Sequence, residues 1–392
     1  MKIEDLALQR SKYKHLTDEE WRWFLQQVEG RERTADKLPT FAAIEGWWYP
    51  VRLSCEQCSS ELAAKYKAEI ILPQIKQIER IFSFADLTGG YGVDTYFLSA
   101  AFNHTDYVEQ NTELCRIAAH NFANKPIVIH NSTAEDFLKT AGEYDLIFLD
   151  PARRDSHGGK VFRLEDCTPN VVELLPTLLS HGKRIMIKLS PMLDLTQAIC
   201  QLSIVNCQLN WDIYVVAIKN EVKELLLLSG GSGKITAIDL DKKDQAFVFT
   251  REEESAARSE YSDYSDYSDK YLFEPNAAIV KAGAYKLVAK QFGLTKLDVN
   301  THLYSSDTLV PNFPGRVWKI VEKKDLKQAN VLTRNYPLTP EALKKKLHLR
   351  DGGTDFVIGC RINGKPTLFY AERVNNKTIT GPSSDNTPTV SQ

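Results

Sequence analysis

A glycine-rich segment contains the residue types that best suit the binding of a charged ligand. Residues 84–94 read FADLTGGYGVD, at the end of one predicted strand and the start of a helix. Glycine lets the backbone turn tightly and approach a ligand closely, and the N–H groups at a helix start suit a carboxylate or a phosphate. Asp86 can face an ammonium group of the ligand. Tight glycine turns also occur without ligands, so this segment alone leaves both interpretations open.

Acidic residues follow the next predicted strands at the same edge. Glu109 lies seventeen residues after Gly92, where a carboxylate can accept hydrogen bonds from both ribose hydroxyls. Asp136 follows the third strand and can accept from an adenine amino group, and Asp150 ends the fourth strand. Each of these residues could simply cap a helix. Their joint order favours a single site in the crevice at the carboxyl ends of the strands.

The elements that position these residues alternate between short apolar runs and helical stretches, which is typical of parallel βα units. Strands are predicted over residues 81–86, 106–109, 127–131, 146–150, 184–189, 211–219 and 222–229. Two residues separate the last two strands, so they must form an antiparallel hairpin. The pattern therefore predicts an α/β fold with a Rossmann-like sheet that ends in an antiparallel hairpin.

The set formed by residues 86–94, Glu109, Asp136 and residues 150–153 resembles the motif series of class I S-adenosylmethionine-dependent methyltransferases. The resemblance covers residues 80–230. The whole chain is also similar to bacterial methyltransferases with a THUMP-like C-terminal domain, a module associated with RNA binding. Residues 350–355, RDGGTD, and the strand pair after them carry that second likeness less specifically.

The resemblance implies S-adenosylmethionine as the cofactor and assigns roles to residues. The implied cofactor-binding residues are Asp86, Thr88, Gly89, Gly90, Gly92, Asp94, Glu109, Asp136 and Asp150. By this likeness, Asp86, Gly89 and Gly92 hold the methionine end, Glu109 the ribose and Asp136 the adenine. The implied catalytic residues are Asp150, Pro151 and Arg153, which face the target base.

Residues 150–153 suggest a mechanism but depart from the family pattern. We hypothesise that Asp150 and the Pro151 carbonyl orient an acceptor nitrogen, and that Asp150 takes its proton. Arg153 would bind a phosphate or stack on a base, or else pair with a surface carboxylate. Ala152 and Arg153 replace the second proline and the aromatic residue usual in enzymes that methylate exocyclic amines. The target base and atom therefore stay open.

Local charge divides the chain more clearly than its net charge of −2. Residues 276–350 contain fourteen Lys and Arg against five Asp and Glu, a balance of +9, which fits an RNA surface or a merely solvated face. We expect the following regions: helical 1–78, methyltransferase 79–234, acidic linker or loop 235–275, basic α+β THUMP-like 276–374, and disordered tail 375–392.

Several classes of protein are disfavoured. No apolar run is long enough for a membrane span, and no signal peptide is evident. Cys55 and Cys58 lack the second pair that a zinc site needs, so we expect no metal, and isolated cysteines indicate a reducing cytoplasmic location. Residues 89–92 do not fit the G-x-G-x-x-G pattern of dehydrogenases.

Three functions remain from the sequence. We expect a methyltransferase that acts on a base of structured RNA, such as a tRNA or an rRNA. One alternative is a methyltransferase for a protein or small molecule, with the C-terminal region as a partner-binding domain. The other is a non-catalytic RNA-binding protein that keeps the cofactor fold.

Overall fold

The computed structural model of the protein describes residues 3, 6, 9–75, 82–153, 164–205, 209–258, 261, 267 and 270–374. The predicted tail over 375–392 and the side chain of Arg153 lie outside this description. The chain divides into two compact units. The first unit contains Met1–Val216 and Lys223–Gly233, and the second contains Ala217–Val222 and Lys234–Gln392.

The N-terminal part of the first unit is helical. Its helices are α1 Asp18–Thr34, α2 Pro39–Ala43, α3 Arg52–Gln57 and α4 Glu61–Ile75. α1 begins with a capping box, in which the Thr17 hydroxyl accepts from the Glu20 N–H and the Glu20 carboxylate accepts from the Thr17 N–H. This reciprocal pair satisfies two N–H groups that a helix start otherwise leaves without partners.

The strands of the first unit follow the predicted alternation closely. They are β1 Ser83–Asp86, β2 His104–Glu109, β3 Ile127–Asn131, β4 Leu146–Leu149, β5 Ala152–Arg153, β6 Cys167–Thr168, β7 Ile185–Leu189, β8 Trp211–Ile218 and β9 Glu221–Ser229. α5 Val93–Leu98, α6 Thr112–Asn121, α7 Ala134–Leu138, α8 Val171–His181 and α9 Leu195–Val205 follow β1, β2, β3, β6 and β7. Strands such as β4 are buried along their whole length, which explains their continuous apolar sequence.

The main sheet has the expected topology. The strands of this unit follow the order β8-β9-β7-β4-β1-β2-β3. β1, β2, β3, β4 and β7 pair in parallel, whereas β9 pairs antiparallel with β7. The hairpin between β8 and β9 turns at Lys219 and Asn220, whose φ angles are 53° and 61°. Positive φ at both turn residues matches the twist of a two-residue hairpin, so the predicted Rossmann-like sheet with its terminal hairpin is confirmed.

The N-terminal helices share a core with the sheet and its glycine-rich turn. Phe41 and Trp47 are buried in one cluster with Tyr91 and Tyr107. The Trp47 indole N–H donates to the Tyr91 hydroxyl at 2.9 Å. Because a buried indole N–H needs a hydrogen-bond partner, this contact fixes the turn against the helices.

The second unit is an α+β domain. Its strands are β10 Lys234–Asp239, β11 Phe247–Thr250, β12 Tyr271–Pro275, β13 Thr295–Lys296, β14 Tyr304–Ser306, β15 Gly315–Val321, β16 Asn330–Arg334, β17 Asp355–Ile362 and β18 Lys365–Val374. Its helices are α10 Arg251–Ala256, α11 Ala277–Ala282, α12 Tyr285–Phe292 and α13 Pro340–Lys346. The sheet order from β12 onward is β13-β14-β12-β15-β18-β17-β16.

Two local predictions for the second unit are wrong. Residues 234–256 form the antiparallel pair β10 and β11 and the helix α10, where the acidic composition suggested a linker or loop. Apolar side chains alternate there, and Ile235, Phe247 and Phe249 are buried, so burial outweighs the local charge. The sequence pattern also predicts one helix over residues 278–292, but Gly283, whose φ of 84° ends α11, divides it into α11 and α12.

None of the helices described in the structure is long and apolar enough to cross a membrane. Cytoplasmic location stays a prediction.

Candidate active site

The glycine-rich turn connects the end of β1 to α5, and two of its glycines leave no room for a side chain. A Cβ atom at Gly89 would lie 2.1 Å from Cε2 of Tyr107, and one at Gly92 would lie 2.5 Å from Cζ of Phe122. Gly92 also has a φ of 81°, a conformation that favours glycine. The turn is therefore held close against the β2 side of the sheet.

Asp86 is a buried carboxylate at the start of this turn. Its oxygens accept from the Thr88 N–H at 3.1 Å and from the Thr95 hydroxyl at 2.6 Å. Burial raises the pKa of Asp86 to about 7, against the opposing effect of these two hydrogen bonds. A cationic group beside this carboxylate would relieve the cost of its burial.

Glu109 ends β2 and faces the same turn. One of its carboxylate oxygens accepts from the Gly90 N–H at 2.9 Å and the other from the Asn111 N–H at 2.8 Å. The Tyr107 hydroxyl donates to the Gly90 carbonyl at 2.6 Å. Each carboxylate oxygen keeps a second lone pair, so Glu109 can still accept hydrogen bonds from a ligand.

A cavity of about 310 Å³ opens beside these residues. The predicted site residues that line it are Asp86, Thr88, Gly89, Gly90, Gly92, Asp94, Glu109 and Asp150. The N-terminal helical part adds Ser54, Gln57, Cys58 and Ser59, and the start of α7 adds Thr133, Ala134 and Glu135. Its volume lies at the lower end of the range for small-molecule and cofactor sites.

Asp136 is the predicted cofactor residue that the structure does not bring to the cavity. Its carboxylate is mostly exposed and pairs with Lys139 at 2.6 Å, one turn along the helix. Glu135 precedes it and lines the cavity. Adjacent positions on a helix point about 100° apart, so the sequence spacing alone could not distinguish the two residues.

The segment after β4 lines part of the cavity through Asp150 and Ala152. The Asp150 N–H donates to the Thr88 hydroxyl at 2.6 Å, which ties the end of β4 to the glycine-rich turn. Pro151 is buried and is not among the residues that line the cavity. β5, which contains Arg153, pairs antiparallel with β6. Thr168 at the end of β6 and Pro169 after it line the cavity.

The chain is similar over most of its length to proteins described as methyltransferases. A crystal structure from Porphyromonas gingivalis W83, described as a candidate methyltransferase, is 32% identical, covers 92% of both chains and has a TM-score of 0.80. Curated relatives from two Mycobacterium tuberculosis strains are described as uncharacterized S-adenosylmethionine-dependent methyltransferases. Each is 22% identical and covers 87% of this chain and 92% of its own length. Residues 271–314 match a family described as a ferredoxin-like domain, and residues 312–373 match one described as THUMP domain-like.

The chain belongs to the class I S-adenosylmethionine-dependent methyltransferases that carry a THUMP-like C-terminal domain.

The structure also shows a cluster of charged residues that the sequence interpretation missed in this methyltransferase. The cluster consists of Ser59, Lys67, Asp94, Asp150, Lys188 and Glu224. Lys67 on α4 is completely buried and pairs with Asp94 at 3.0 Å and with Glu224 on β9 at 2.8 Å. Lys188 on β7 pairs with Asp150.

Charges inside apolar runs were the available signal for this cluster. Lys188 interrupts the strand sequence IMIKL, and Glu224 precedes the run LLLL of β9. A buried charge is costly unless it is paired, so each of these residues required a partner. Lys67 and Glu224 are 157 positions apart, so their pairing could not be predicted from one sequence.

The THUMP-like region presents its basic residues mostly at the surface. Lys345 and Lys346 at the end of α13 are exposed, as is Arg350. Of the aromatic residues in this region, Tyr304 and Trp318 are completely buried and belong to the core. These two rings are therefore not available at the surface for contact with a ligand.

Proposed function

We propose that the protein transfers a methyl group from S-adenosylmethionine to a base of structured RNA, such as a tRNA or an rRNA. The observation that carries this proposal is the combination, on one chain, of a methyltransferase cavity with a basic THUMP-like region. The local balance of +9 over residues 276–350 suits contact with a phosphate backbone.

The lining residues fit the cofactor. Gly89 and Gly92 let the turn pack directly against Tyr107 and Phe122, and the turn lines the cavity next to the place proposed for the cofactor. We assign Asp86, with Thr88, Gly90 and Asp94 around it, to the methionine end, because its buried carboxylate suits an ammonium group. Glu109 is assigned to the ribose hydroxyls.

The adenine end is the part of the proposal that we revise. Asp136 was expected to accept from the adenine amino group, but its carboxylate pairs with Lys139 and does not line the cavity. We assign this contact to the start of α7, with Glu135 as its acidic residue.

Asp150 is assigned to the acceptor nitrogen, whereas Pro151, which does not line the cavity, is not. The bound cofactor would supply a methyl group on a positively charged sulfonium, so the reaction needs an acceptor held close and in line. Carboxylates suit the surroundings of such a positive charge, whereas an unpaired cation does not. Asp150 lines the cavity and can accept a hydrogen bond from an acceptor N–H, and Arg153 on β5 is assigned to substrate phosphate or base.

The direct test is transfer of a tritiated methyl group from S-adenosylmethionine to total RNA from cells in which the gene is deleted. We expect RNA from deleted cells to be labelled and RNA from parental cells, which is already methylated, to be labelled much less. Asp150→Ala should abolish the transfer and keep the affinity for S-adenosylhomocysteine, and loss of both would indicate a structural role. Label in protein or small molecules instead of RNA would favour a methyltransferase for a protein or small molecule. RNA binding without methyl transfer would favour a non-catalytic RNA-binding protein.

A further inference from the structure

The Asp150 carboxylate, which we assign to the acceptor, is bound by Lys188, a residue that does not line the cavity. Lys188 donates to one oxygen of Asp150, while the other oxygen makes no hydrogen bond to any residue in the described ranges. The Asp150 side chain is 36% exposed, whereas that of Lys188 is 12% exposed. The ammonium group of Lys188 thus holds one carboxylate oxygen of Asp150, and the other oxygen can accept a hydrogen bond from a substrate.

Lys188 is held in place by further contacts. Its ammonium group donates to the Ser59 hydroxyl at 3.1 Å and lies 3.7 Å from a carboxylate oxygen of Asp94. Burial alone would lower the pKa of Lys188, but Asp150, Asp94 and Glu224 together raise it above its ordinary value. Lys188 is therefore an ammonium at neutral pH and can donate to several acceptors at once.

Ser59 connects this lysine to the N-terminal helices. Its hydroxyl donates to Asp94 at 2.6 Å and accepts from Lys67 at 3.2 Å as well as from Lys188. Lys67 belongs to α4, and Ser59 lies between α3 and α4. The pKa of Asp94 is lowered, because Lys67 and Lys188 outweigh the effect of its burial. The contacts form a continuous path from α4 to Asp150.

We propose that Lys188 is a positioning residue for Asp150, and that Ser59 and Lys67 make the N-terminal helices a required part of the catalytic site. The inference rests on the proposed function, because it takes Asp150 as the group that orients the acceptor. It assigns to the N-terminal region a role in the transfer step and not merely in packing.

The arrangement also limits what Asp150 does in the reaction. Lys188 occupies one oxygen of the Asp150 carboxylate, and the other oxygen can accept a hydrogen bond from the acceptor N–H. Asp150 therefore orients the acceptor nitrogen, and the proton leaves to water after the methyl group has transferred.

The kinetic test uses Lys188→Met in the full-length protein, with Lys183→Met as the matched control. Lys183 lies just before β7 and pairs with Asp145 in an exposed ion pair. With tritiated S-adenosylmethionine and RNA from gene-deleted cells, we expect kcat of Lys188→Met to fall about 100-fold, because small misplacements of a reacting group have effects of that size. KM for the RNA and the Kd of S-adenosylhomocysteine should stay within about threefold, and Lys183→Met should match the wild type.

A second variant guards against a loss of folding, since Lys188→Met leaves three carboxylates near one another. Ser59→Ala removes the connecting hydroxyl without changing charge. Ser60→Ala is its control, because the Ser60 hydroxyl only accepts from the Ala63 N–H at 3.3 Å. We expect Ser59→Ala to lower kcat about tenfold while the protein keeps its fold by circular dichroism, and Ser60→Ala to leave kcat unchanged.

A crystal structure of Lys188→Met with S-adenosylhomocysteine provides a readout that needs no RNA. A displaced Asp150 carboxylate would support the inference, and one in its wild-type position with an unchanged kcat would overturn it. Wild-type protein that labels no RNA would instead contradict the proposed function, and the position of Asp150 would still decide whether Lys188 places it.

Discussion

The two units of the chain use charge in different ways. In the first unit the buried Lys67 forms ion pairs with two buried carboxylates, Asp94 and Glu224, and Asp94 lines the cavity. In the second unit Lys345 and Lys346 are exposed at the end of a helix. A buried ion pair fixes the position of groups at a high cost of desolvation, whereas exposed charges attract a polyanion and are screened by salt. The first unit therefore uses charge to fix the positions of groups, and we propose that the second unit uses charge to bind RNA.

The largest expected effect concerns Asp86, because burial in the folded protein raises the pKa of this carboxyl from its ordinary value of 3.8 to about 7. A raised carboxyl pKa means that stability from this group is lost as pH rises from about 4 to about 7. Asp86→Asn keeps both hydrogen bonds, because the Thr95 hydroxyl can accept as well as donate. We expect the variant to be more stable than the wild type, with a gap in the free energy of unfolding that widens by about 2 kcal/mol between pH 5.5 and pH 8.

Urea unfolding at the two pH values measures that gap. A gap that stays constant between the two pH values would contradict the raised pKa of Asp86.

Gly89→Ala should destabilise the first unit by about 1–3 kcal/mol, because its Cβ atom would overlap the Tyr107 ring. The shift of Tyr107 would also disturb its hydrogen bond to Gly90 and weaken binding of S-adenosylhomocysteine. Gly142→Ala is the control, since nothing lies within 4 Å of a Cβ atom there. Thermal unfolding and calorimetric titration of both variants measure these two effects. Equal stability and equal binding of the two variants would contradict the close contact between Gly89 and Tyr107.

Replacement of Lys345 and Lys346 by Gln should lower the affinity for structured RNA, such as bulk tRNA, about tenfold at low salt. The slope of log affinity against log salt should decrease by about one for each lysine that contacts a phosphate. Fluorescence anisotropy at several salt concentrations measures this slope. RNA affinity that does not depend on salt would contradict an electrostatic role for the second unit.

The smallest expected effect distinguishes two neighbouring carboxylates on α7. Glu135→Ala should weaken S-adenosylhomocysteine binding about fivefold, the loss of one hydrogen bond, and Asp136→Ala should leave it unchanged. The opposite result would restore the original assignment of Asp136 to the adenine.

The sequence allowed prediction of those features that depend on local pattern. β4 and β7 are buried apolar runs, and the acidic residues Asp86, Glu109 and Asp150 follow directly from their positions at strand ends. Features that depend on contacts between distant segments were not predictable. The bond between Ser59 and Lys188 joins residues 129 positions apart, and nothing near either residue indicates its partner.

Two other errors have local causes. The acidic composition of 235–275 favours a loop, whereas the alternation of its apolar residues corresponds to the strands β10 and β11. Glu135 and Asp136 both fit the spacing after β3, and only the helix phase separates them.

Calorimetric titration with S-adenosylhomocysteine, on the wild type and on Asp86→Ala, determines whether the cavity beside Asp86 binds the cofactor. We predict that the wild type binds one equivalent and that the variant, which keeps its fold by circular dichroism, loses binding. Equal binding by both proteins would contradict the assignment of this cavity, and no binding by the wild type would contradict its role as the cofactor site.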